Sequence, residues 1–276
     1  MNNGGAAVKQ AKISEEMITA IRMETFTEVK EGVTDYPVLD FDSRRLELLH
    51  AGVQETLKHS EVKPAGGAAY KAVKRTMDIV ISLVGIIVLF IPMCIMALII
   101  FLDDKGNPFF SQTRITENGK PFKMYKLRSM CMDAEKKFAE VQKKNKCDGI
   151  AFKSDEDSRI TRIGKFIRKT SIDEIPQLLN VLKGDMSIIG PRPPLPREVV
   201  LYTPEHMNRL LVKGGLSCVC QVEGRSDMEF DKWIETDIEY IKERSIVKDI
   251  SLIFRTVFVV IRGSCLLYTS DAADEL

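Results

Sequence analysis

The amino-acid sequence predicts a mostly helical α+β protein that is monotopic in a membrane, with a re-entrant broken helix, a small β-hairpin and interfacial amphipathic helices. Three observations favour this fold class. Residues 79–102 contain no charged side chain, Asn118-Gly119 separates two short apolar runs, and several stretches have apolar residues at helical spacing. These features divide the chain into an N-terminal extension (1–70), a membrane segment (71–104), a folded domain (105–264) and a C-terminal remainder (265–276).

The charge of the chain is unevenly distributed, although its net value of +1 gives no indication of a nucleic-acid partner. Residues 1–70 contain 8 Lys and Arg against 11 Asp and Glu, whereas residues 71–130 contain 9 against 4. The positive excess therefore flanks the uncharged segment, as expected of a surface that faces anionic lipid. The six cysteines have no disulfide-like spacing, which is typical of a reducing cytoplasm.

The N-terminal extension has weak helical patterns at residues 14–26 and 43–58, and Pro64, Gly66 and Gly67 then predict a linker. Whether this region is disordered or forms a small helical segment that binds a partner is left open, and no chemistry is assigned to it. At the other end, residues 265–276 resemble the translation of a sequencing adapter. The natural chain is therefore expected to differ after about Ser264.

The membrane segment contains an uncharged run from Ile79 to Leu102. This run is long enough to cross a hydrocarbon core of about 30 Å, and it lacks the polar face expected of a soluble core helix. Pro92 lies near its middle and predicts a break. Five cations precede the run between Lys58 and Arg75 and three follow it between residues 105 and 120, so the positive-inside rule predicts a cytoplasmic N-terminal flank.

The two apolar runs around Asn118-Gly119, residues 109–115 and 122–127, predict a β-hairpin, because Asn-Gly is the strongest short signal for a hairpin turn. We expect this hairpin to pack near the membrane. Its basic residues, which could meet lipid headgroups or substrate phosphates or form only a solvated face, are Lys123, Lys126 and Arg128.

The most informative stretch begins near Ser171, where Asp173 and Glu174 precede an apolar helical pattern. If Asp173 is the N-cap, Pro176 falls at the third helical position, where no intrahelical hydrogen bond is lost. A capping box of Ser171 and Glu174 is the alternative, and it would put Pro176 past the first turn. We favour Asp173, which places a carboxylate beside N–H groups that can bind phosphate oxygens. An Asp-Glu pair considered alone is most simply ordinary capping.

Basic residues flank this pair of acids on both sides. The upstream ones, at a spacing of about three residues, are Arg159, Arg162, Lys165 and Arg168. Downstream, Arg192 is surrounded by prolines in the stretch Gly190 to Pro194, which stiffen its backbone. Acids, arginines and a helix N-terminus together are typical of a phosphoryl-transfer site.

Three further helices are predicted towards the C-terminus. Thr203 is a good N-cap with Pro204 at the first helical position. An apolar stripe in residues 230–241 includes Asp237, and a buried acid needs a partner. We expect that partner to be an arginine, with a metal ion as the alternative. Residues 248–262 form an amphipathic pattern suited either to the membrane interface or to packing against the core.

The run RITRIGKFIRKTSIDEIPQLLNVLKGDMSIIGPRPP, residues 159–194, resembles the core signature of the bacterial sugar transferases, the monotopic phosphoglycosyl transferases. The resemblance extends from about Lys74 to Gly263. It includes a glycine-rich loop that ends in Gln221-Val-Glu-Gly-Arg225, although Ser217-Cys218 stands where the family usually has Thr-Gly. The resemblance implies that Gln221 and Arg225 contact the nucleotide sugar.

This resemblance implies transfer of a sugar phosphate from a nucleotide sugar, with UDP as the expected carrier, to polyprenyl (undecaprenyl) phosphate. The product would initiate exopolysaccharide, capsule, O-antigen or glycoconjugate assembly. Asp173 would form a covalent phosphosugar intermediate, and Glu174 would hold Mg²⁺, with Asp237 as a further candidate ligand. Arg168 and Arg192 would bind phosphate oxygens.

The implied donor is cytoplasmic, so the catalytic domain, residues 105–264, should lie on the same side as the N-terminal flank. Both conditions are met if the membrane segment enters and leaves by one face, as a re-entrant helix broken at Pro92. The family usually has Ser-Pro at this break, whereas Ile91 precedes Pro92 here. We therefore expect a protein of the bacterial inner membrane with its catalytic domain on the cytoplasmic face. A homodimer and contacts with downstream glycosyltransferases are left open.

Two other classes of function share some of these features. A membrane-bound, aspartate-dependent phosphohydrolase would use water as the acceptor and would need no polyprenyl phosphate. A non-catalytic membrane scaffold would keep the uncharged segment but would have no use for Asp173 beside Glu174. The sequence does not identify the sugar or the pathway.

Overall fold

The computed structural model describes residues 41–134, 159–223 and 229–261. Several sequence-based predictions fall outside these residues, namely the helix at 14–26, the side chain of Arg225 and the remainder at 265–276. The described part is mainly helical, with two small two-stranded sheets.

Helix α1, Ser43–Lys58, confirms the second helical pattern of the N-terminal extension. The side chain of Asp42 caps it by accepting a hydrogen bond from the N–H of Arg45 at 2.7 Å. Leu49 and Val53 are fully buried in a hydrophobic cluster that also contains residues of the following domain. This part of the extension is therefore packed on the globular unit.

Helix α2, Ala68–Asp104, contains the whole uncharged run. By length and composition it could cross a membrane. Helix α2 is continuous through Pro92, so the predicted interruption of the helix is not observed, and the re-entrant arrangement stays a prediction. A proline removes one helical hydrogen bond and favours a kink, but continuing the helix keeps the other backbone groups satisfied, which apolar surroundings require.

The N-terminal part of α2 is attached to the globular unit by polar contacts. Arg75 donates hydrogen bonds to the carbonyls of Val181 and Leu182 at 2.6 and 2.7 Å. Asp78 is buried and accepts a hydrogen bond from the N–H of Ile188 at 2.9 Å. The Ser187 hydroxyl also donates a hydrogen bond to Asp78 at 3.0 Å, so backbone and hydroxyl donors both bind this buried acid.

The C-terminal part of α2 contacts the same globular unit. Asp104 lies 3.5 Å from the guanidinium of Arg128. Ile100 is buried in a cluster with Leu127 and Ile167. Most apolar side chains between the two attachments are exposed, among them Leu83, Val84, Ile87, Val88, Ile91, Ile95 and Leu98. Helix α2 is therefore held at both ends by one body and leaves an apolar surface uncovered.

The hairpin is confirmed, since β1, Phe109–Ile115, pairs antiparallel with β2, Pro121–Leu127. Asn118 and Gly119 have φ values of 59° and 77° in the connecting 3₁₀ turn, as an Asn-Gly turn predicts. Of its three basic residues only Lys123 is exposed. Lys126 and Arg128 are buried, so the hypothesis of a merely solvated face is wrong for those two.

The two acids lie between helix α3, Arg162–Lys169, and helix α4, Gln177–Lys183. The prediction that Asp173 caps the following helix is wrong. Asp173 lies inside a 3₁₀ turn, Ile172–Glu174, and the N-cap position of α4 is occupied by Pro176. Hydrogen bonds of the i→i+3 type form this turn immediately before the helix. Because Pro176 has no N–H, its position at the N-cap leaves no backbone donor unsatisfied. The alternative capping box is also absent, because Ser171 makes no side-chain cap.

Strands β3, Ser187–Ile189, and β4, Gly215–Ser217, form a parallel pair. The chain between them forms helices α5, Pro196–Val200, and α6, Pro204–Met207, and then a 3₁₀ turn. Helix α6 begins as predicted, with the Thr203 hydroxyl accepting a hydrogen bond from the N–H of His206.

The last described elements are α7, Val219–Val222, α8, Phe230–Glu243, and α9, Ile246–Ile261. Helix α8 buries its predicted apolar stripe together with Asp237. Helix α9 buries Leu252 in the main core but exposes apolar side chains at Val247, Ile250, Phe254, Val257 and Phe258. One face of α9 therefore packs against the core, as one alternative predicted, while the location of its exposed apolar face in the membrane interface stays a prediction.

Candidate active site

Asp173 is held by a sharp change in backbone direction after α3. Ser171 has a φ of 54°, in the left-handed region, and this conformation turns the chain into the 3₁₀ turn that contains Asp173. The side chain of Asp173 is only 2% exposed. The carboxylate is thus a buried group on a tight turn.

Glu174 faces two cations that come from different parts of the chain. One carboxylate oxygen, Oε1, lies 3.9 Å from Nζ of Lys126 on β2 and 3.7 Å from Nη1 of Arg192, which follows β3. Both cations are buried, so they are poorly screened by water. The site therefore combines two adjacent acids with two fixed positive charges, an arrangement suited to binding phosphate oxygens beside a carboxylate.

Arg192 is held in place through the backbone of the loop 190–194. The carbonyls of Pro191 and Pro194 accept hydrogen bonds from the N–H groups of Gly215 and Ile115 at 2.8 and 2.9 Å. The carbonyl of Arg192 accepts one from Nη2 of Arg209 at 3.1 Å, and that of Pro193 accepts one from Nη1 of Arg114 at 2.7 Å. A Cβ at Gly190 would lie 2.5 Å from the carbonyl oxygen of Lys213, so only glycine fits there. The rigid loop expected from the prolines is thus fixed mainly by tertiary hydrogen bonds.

Arg168 lies on α3, and its Nε donates a hydrogen bond to the Ser129 hydroxyl at 2.7 Å. This contact ties α3 to the segment that follows β2. The structure places Glu174 beside Arg192 and Lys126, and Asp173 adjoins Glu174 in the same turn. The predicted binding of phosphate by Arg168 stays a prediction.

Asp237 forms a buried ion pair with Arg209, at 2.6 Å between Oδ2 and Nη2. The guanidinium of Arg209 also lies over the ring of Trp233 and donates a hydrogen bond to the Tyr202 hydroxyl. Burial raises the pKa of Asp237 to about 6, although the guanidinium of Arg209 acts to lower it. Asp237 therefore has the arginine partner that a buried acid requires, and its role as a metal ligand stays a prediction.

A profile of the bacterial sugar transferases matches residues 69–263 of this chain. The match covers more than half of the sequence and includes every residue of the site described above. The chain belongs to the bacterial sugar transferase family.

Three relatives of this bacterial sugar transferase illustrate the similarity. It is 43% identical to the galactosyl transferase CpsE of Streptococcus agalactiae over 69% of this chain and 42% of that protein. It is 39% identical to an undecaprenyl-phosphate galactose phosphotransferase of Salmonella typhimurium over 68% of this chain and 40% of that protein. It is 34% identical to the exopolysaccharide production protein ExoY of Rhizobium meliloti over 74% of this chain and 91% of that protein. The chain thus spans about two fifths of the length of the first two relatives.

The glycine-rich loop of this sugar transferase is described only in part. Gln221 uses its side-chain oxygen to accept a hydrogen bond from the N–H of Cys218 at 3.1 Å, which caps α7. Its predicted contact with the nucleotide sugar stays a prediction, and Arg225 lies outside the described residues. Cys218 and Cys220 are buried free thiols, and burial raises the pKa of Cys218 to about 12.

The acids of the site suit a hard cation that arrives with its substrate. Within the described ranges no three His, Cys, Asp or Glu side chains converge to hold a metal ion. Mg²⁺, however, is commonly bound by one or two carboxylates, with waters and substrate phosphates as the other ligands. Asp173 and Glu174 provide two carboxylates, so the residues present fit such a shared site.

The sequence did not predict two arginines that hold the loop bearing Arg192. Arg114 and Arg209 are both buried, and each donates to a carbonyl of the loop that bears Arg192. Each is a single basic residue between uncharged neighbours, Arg114 between Thr113 and Ile115 and Arg209 between Asn208 and Leu210. That pattern is a weak signal of a buried pair, and it does not identify the partner.

Proposed function

We propose that this protein transfers a sugar phosphate from a nucleotide sugar, with UDP as the carrier, to undecaprenyl phosphate at the cytoplasmic face of the bacterial inner membrane. The observation that supports this function most strongly is the buried Asp173 beside Glu174, whose carboxylate faces Lys126 and Arg192. Membership of the sugar transferase family and the names of the relatives, which include an undecaprenyl-phosphate galactose phosphotransferase, support the acceptor and the class of donor.

In the first step of the proposed mechanism, a carboxylate oxygen of Asp173 attacks the phosphorus next to the sugar. The bond between that phosphorus and the bridging oxygen breaks, and UMP leaves with the electron pair. Lys126 and Arg192 would hold phosphate oxygens and stabilise the negative charge that develops on them. Glu174 would hold Mg²⁺, which when bound supplies further neutralisation of the phosphates.

In the second step, a phosphate oxygen of undecaprenyl phosphate attacks the phosphorus of the aspartyl adduct. The bond from that phosphorus to the carboxylate of Asp173 breaks, which regenerates the free acid and gives undecaprenyl-diphospho-sugar. The two steps use the same nucleophile and the same cations in turn. The mechanism is therefore a ping-pong exchange without a direct encounter of donor and acceptor.

The membrane arrangement that we propose is re-entrant, with α2 entering and leaving by the cytoplasmic face. Attachment of both ends of α2 to one globular body supports it, through Asp78 at one end and Asp104 at the other. The exposed apolar side of α9 would lie in the interface beside α2. The acceptor phosphate would then reach the site at headgroup depth.

Substitution of Asp173 tests the chemical role. Asp173→Asn removes the nucleophile without changing the shape of the side chain, so we expect UMP release to fall by about three orders of magnitude or more. The assay incubates the purified protein in lipid with a panel of UDP-sugars, with and without undecaprenyl phosphate. Asp185→Asn, a change of the same type just after α4, is the matched control and should retain activity.

The same assay separates the proposed function from its alternatives. A hydrolase would release free sugar phosphate together with UMP when no undecaprenyl phosphate is present, at the rate seen in its presence. A scaffold would release no UMP with any UDP-sugar. Full activity of Asp173→Asn would exclude Asp173 as the nucleophile.

A further inference from the structure

A cavity of about 230 Å³ lies at the N-terminal end of α2, where the chain approaches the uncharged run. Its wall includes Lys71, Lys74 and Arg75 from the first two turns of α2. Residues of β3, of the segment before β4 and of the end of α8 complete it. Asp173, Glu174 and Arg192 do not line this cavity, so it is separate from the candidate active site.

The cavity has a strong excess of positive charge. Its cations are Lys71, Lys74, Arg75, Lys213 and Arg244. Its two carboxylates are Asp78, which is occupied by hydrogen bonds from Ser187 and Ile188, and Glu117 of the hairpin turn. Five cations therefore face two acids, and one of those acids already accepts two donors.

Three of these cations are fixed by contacts with the protein. Lys74 lies 2.9 Å from Asp249, and Arg244 donates a hydrogen bond to the carbonyl of Ala65 at 2.7 Å. Arg75 binds the last carbonyls of α4, as described above. These contacts give the cavity a rigid basic wall that does not need a ligand in order to form.

The two remaining cations have no such contact. Across residues 41–134, 159–223 and 229–261, neither Lys71 nor Lys213 makes an ion pair or a side-chain hydrogen bond. Lys213 lies close to Arg75, since both approach the position that a Cβ of Gly184 would occupy, at 3.6 and 3.4 Å. Cations held near one another repel, and an anion between them would relieve that repulsion.

We propose that this cavity binds a phosphate group at the membrane surface. Its volume corresponds to about eight water molecules at roughly 30 Å³ each, which is enough for a phosphate and its ester oxygens with some water. Pockets for drug-sized ligands usually measure about 300 to 1,000 Å³, so this cavity suits a ligand smaller than a nucleotide sugar. The position of Lys71, Lys74 and Arg75 directly before the uncharged run favours the headgroup of an anionic lipid over free phosphate.

The test measures phosphate binding by the full chain in nanodiscs, in two arms. In the first, inorganic phosphate is titrated into protein in phosphatidylcholine nanodiscs and the heat of binding is recorded. In the second, nanodiscs contain phosphatidylglycerol and phosphatidylcholine, and the lipids that remain bound to the protein are counted by native mass spectrometry. Binding in the second arm alone identifies a lipid headgroup, and binding in the first identifies a site for free phosphate.

Lys71→Gln and Lys213→Gln are the informative variants, because neither side chain has a protein partner whose loss would disturb the fold. Each should weaken binding about fivefold, and the double variant should weaken it about 25-fold. Lys242→Gln removes an exposed lysine two residues from Arg244 and outside the cavity, and it should bind as the unsubstituted chain does. Thermal unfolding in the same nanodiscs checks that all variants are folded.

Binding that depends on Lys71 and Lys213 but not on Lys242 supports the proposal. Absence of binding in both arms overturns it, as does an equal loss with Lys242→Gln, since that result would show only a general effect of net charge. The proposal does not depend on the chemistry of Asp173, and the Asp173→Asn variant should retain this binding.

Discussion

The cations around Glu174 depend on buried groups that never contact the acids themselves. Arg192 presents its guanidinium at 3.7 Å from Glu174, and its carbonyl accepts a hydrogen bond from Arg209. Arg209 in turn is paired with Asp237, and both side chains are almost fully buried. The geometry of the candidate active site is therefore linked to an ion pair between the 3₁₀ turn after α6 and helix α8.

Substitution of Arg209 should show this dependence in stability. Arg209→Met removes the guanidinium from the carbonyl of Arg192 and leaves Asp237 buried without a cation, so we expect the free energy of unfolding to fall by about 3 kcal/mol or more. Addition of Asp237→Asn should recover part of that loss, because it removes the isolated charge. Chemical unfolding in detergent micelles measures both variants. A double variant less stable than Arg209→Met would contradict the expected coupling.

The pH dependence of stability should contain a contribution from Asp237. Its pKa of about 6 in the folded protein lies above the ordinary value of 3.8, because burial outweighs the attraction of Arg209. Between these pH values the folded state therefore binds a proton that the unfolded chain does not. The resulting stability is present below pH 4 and is lost as the pH rises through 6, by roughly 3 kcal/mol.

A comparison with Asp237→Asn isolates this contribution, since the amide does not titrate. The free energy of unfolding of the unsubstituted chain, relative to that of the variant, should decrease from pH 4 to pH 7. Parallel curves over this range would show that the pKa of Asp237 is not raised by burial.

At the scale of elements, helix α1 and the hairpin turn form a contact that positions both. Gly119 has a φ of 77°, and a Cβ at this position would lie 2.7 Å from Cβ of Val53 on α1. The turn thus requires glycine both for its backbone and for the close approach of the helix. Helix α1 precedes the residues matched by the family profile, yet it covers part of the same hydrophobic cluster as β1.

Gly119→Ala should therefore destabilise the protein. We expect a loss of about 2 kcal/mol, from the left-handed backbone and from the overlap with Val53. Gly67→Ala is the matched control, because its φ is −78° and no atom lies within 4 Å of the added Cβ. Its effect should stay within about 0.5 kcal/mol. Equal unfolding midpoints for the two variants would show that the close contact between α1 and the turn does not require glycine at position 119.

At the scale of the whole molecule, two apolar surfaces remain uncovered by the globular body. One is the middle of α2, and the other is the outer side of α9, where Phe254 is 71% exposed. The two helices pack beside each other. Because both ends of α2 are attached to the same body, a single membrane face could accommodate both surfaces without crossing the bilayer.

Cysteine labelling tests this topology. Ala69→Cys and Lys105→Cys place exposed thiols near the two ends of α2, in a chain whose Cys94, Cys131, Cys147 and Cys265 are serine. Both should react with a membrane-impermeant maleimide in inside-out vesicles and neither in intact spheroplasts.

The chain without either introduced cysteine is the control for that labelling. Its remaining thiols, Cys218 and Cys220, are buried and have raised pKa values, so they should not react. Labelling of one end from each side of the membrane would show that α2 spans the bilayer.

Local patterns were sufficient to predict α1, the uncharged helix, the hairpin and the start of α6. In each case the evidence lies within a few consecutive residues, such as Asn118-Gly119 for the turn or Thr203-Pro204 for the cap. The proximity of Arg192 to the pair of acids at 173 and 174 was likewise predicted, and the structure confirms it for Glu174. Residues that are adjacent in sequence are close together in any fold, so a motif built from them can be recognised without the tertiary structure.

Tertiary structure alone determined how those residues are held. Two segments differ from what their local sequence predicts, namely the 3₁₀ turn at Asp173 and the continuous helix α2 at Pro92. In each case the environment of the segment determines which backbone hydrogen bonds form. The approach of Lys126 to Glu174 and the pairing of Arg209 with Asp237 join residues 48 and 28 positions apart. Contacts of that kind depend on how elements pack, and the sequence by itself specifies only that a buried charge must find a partner.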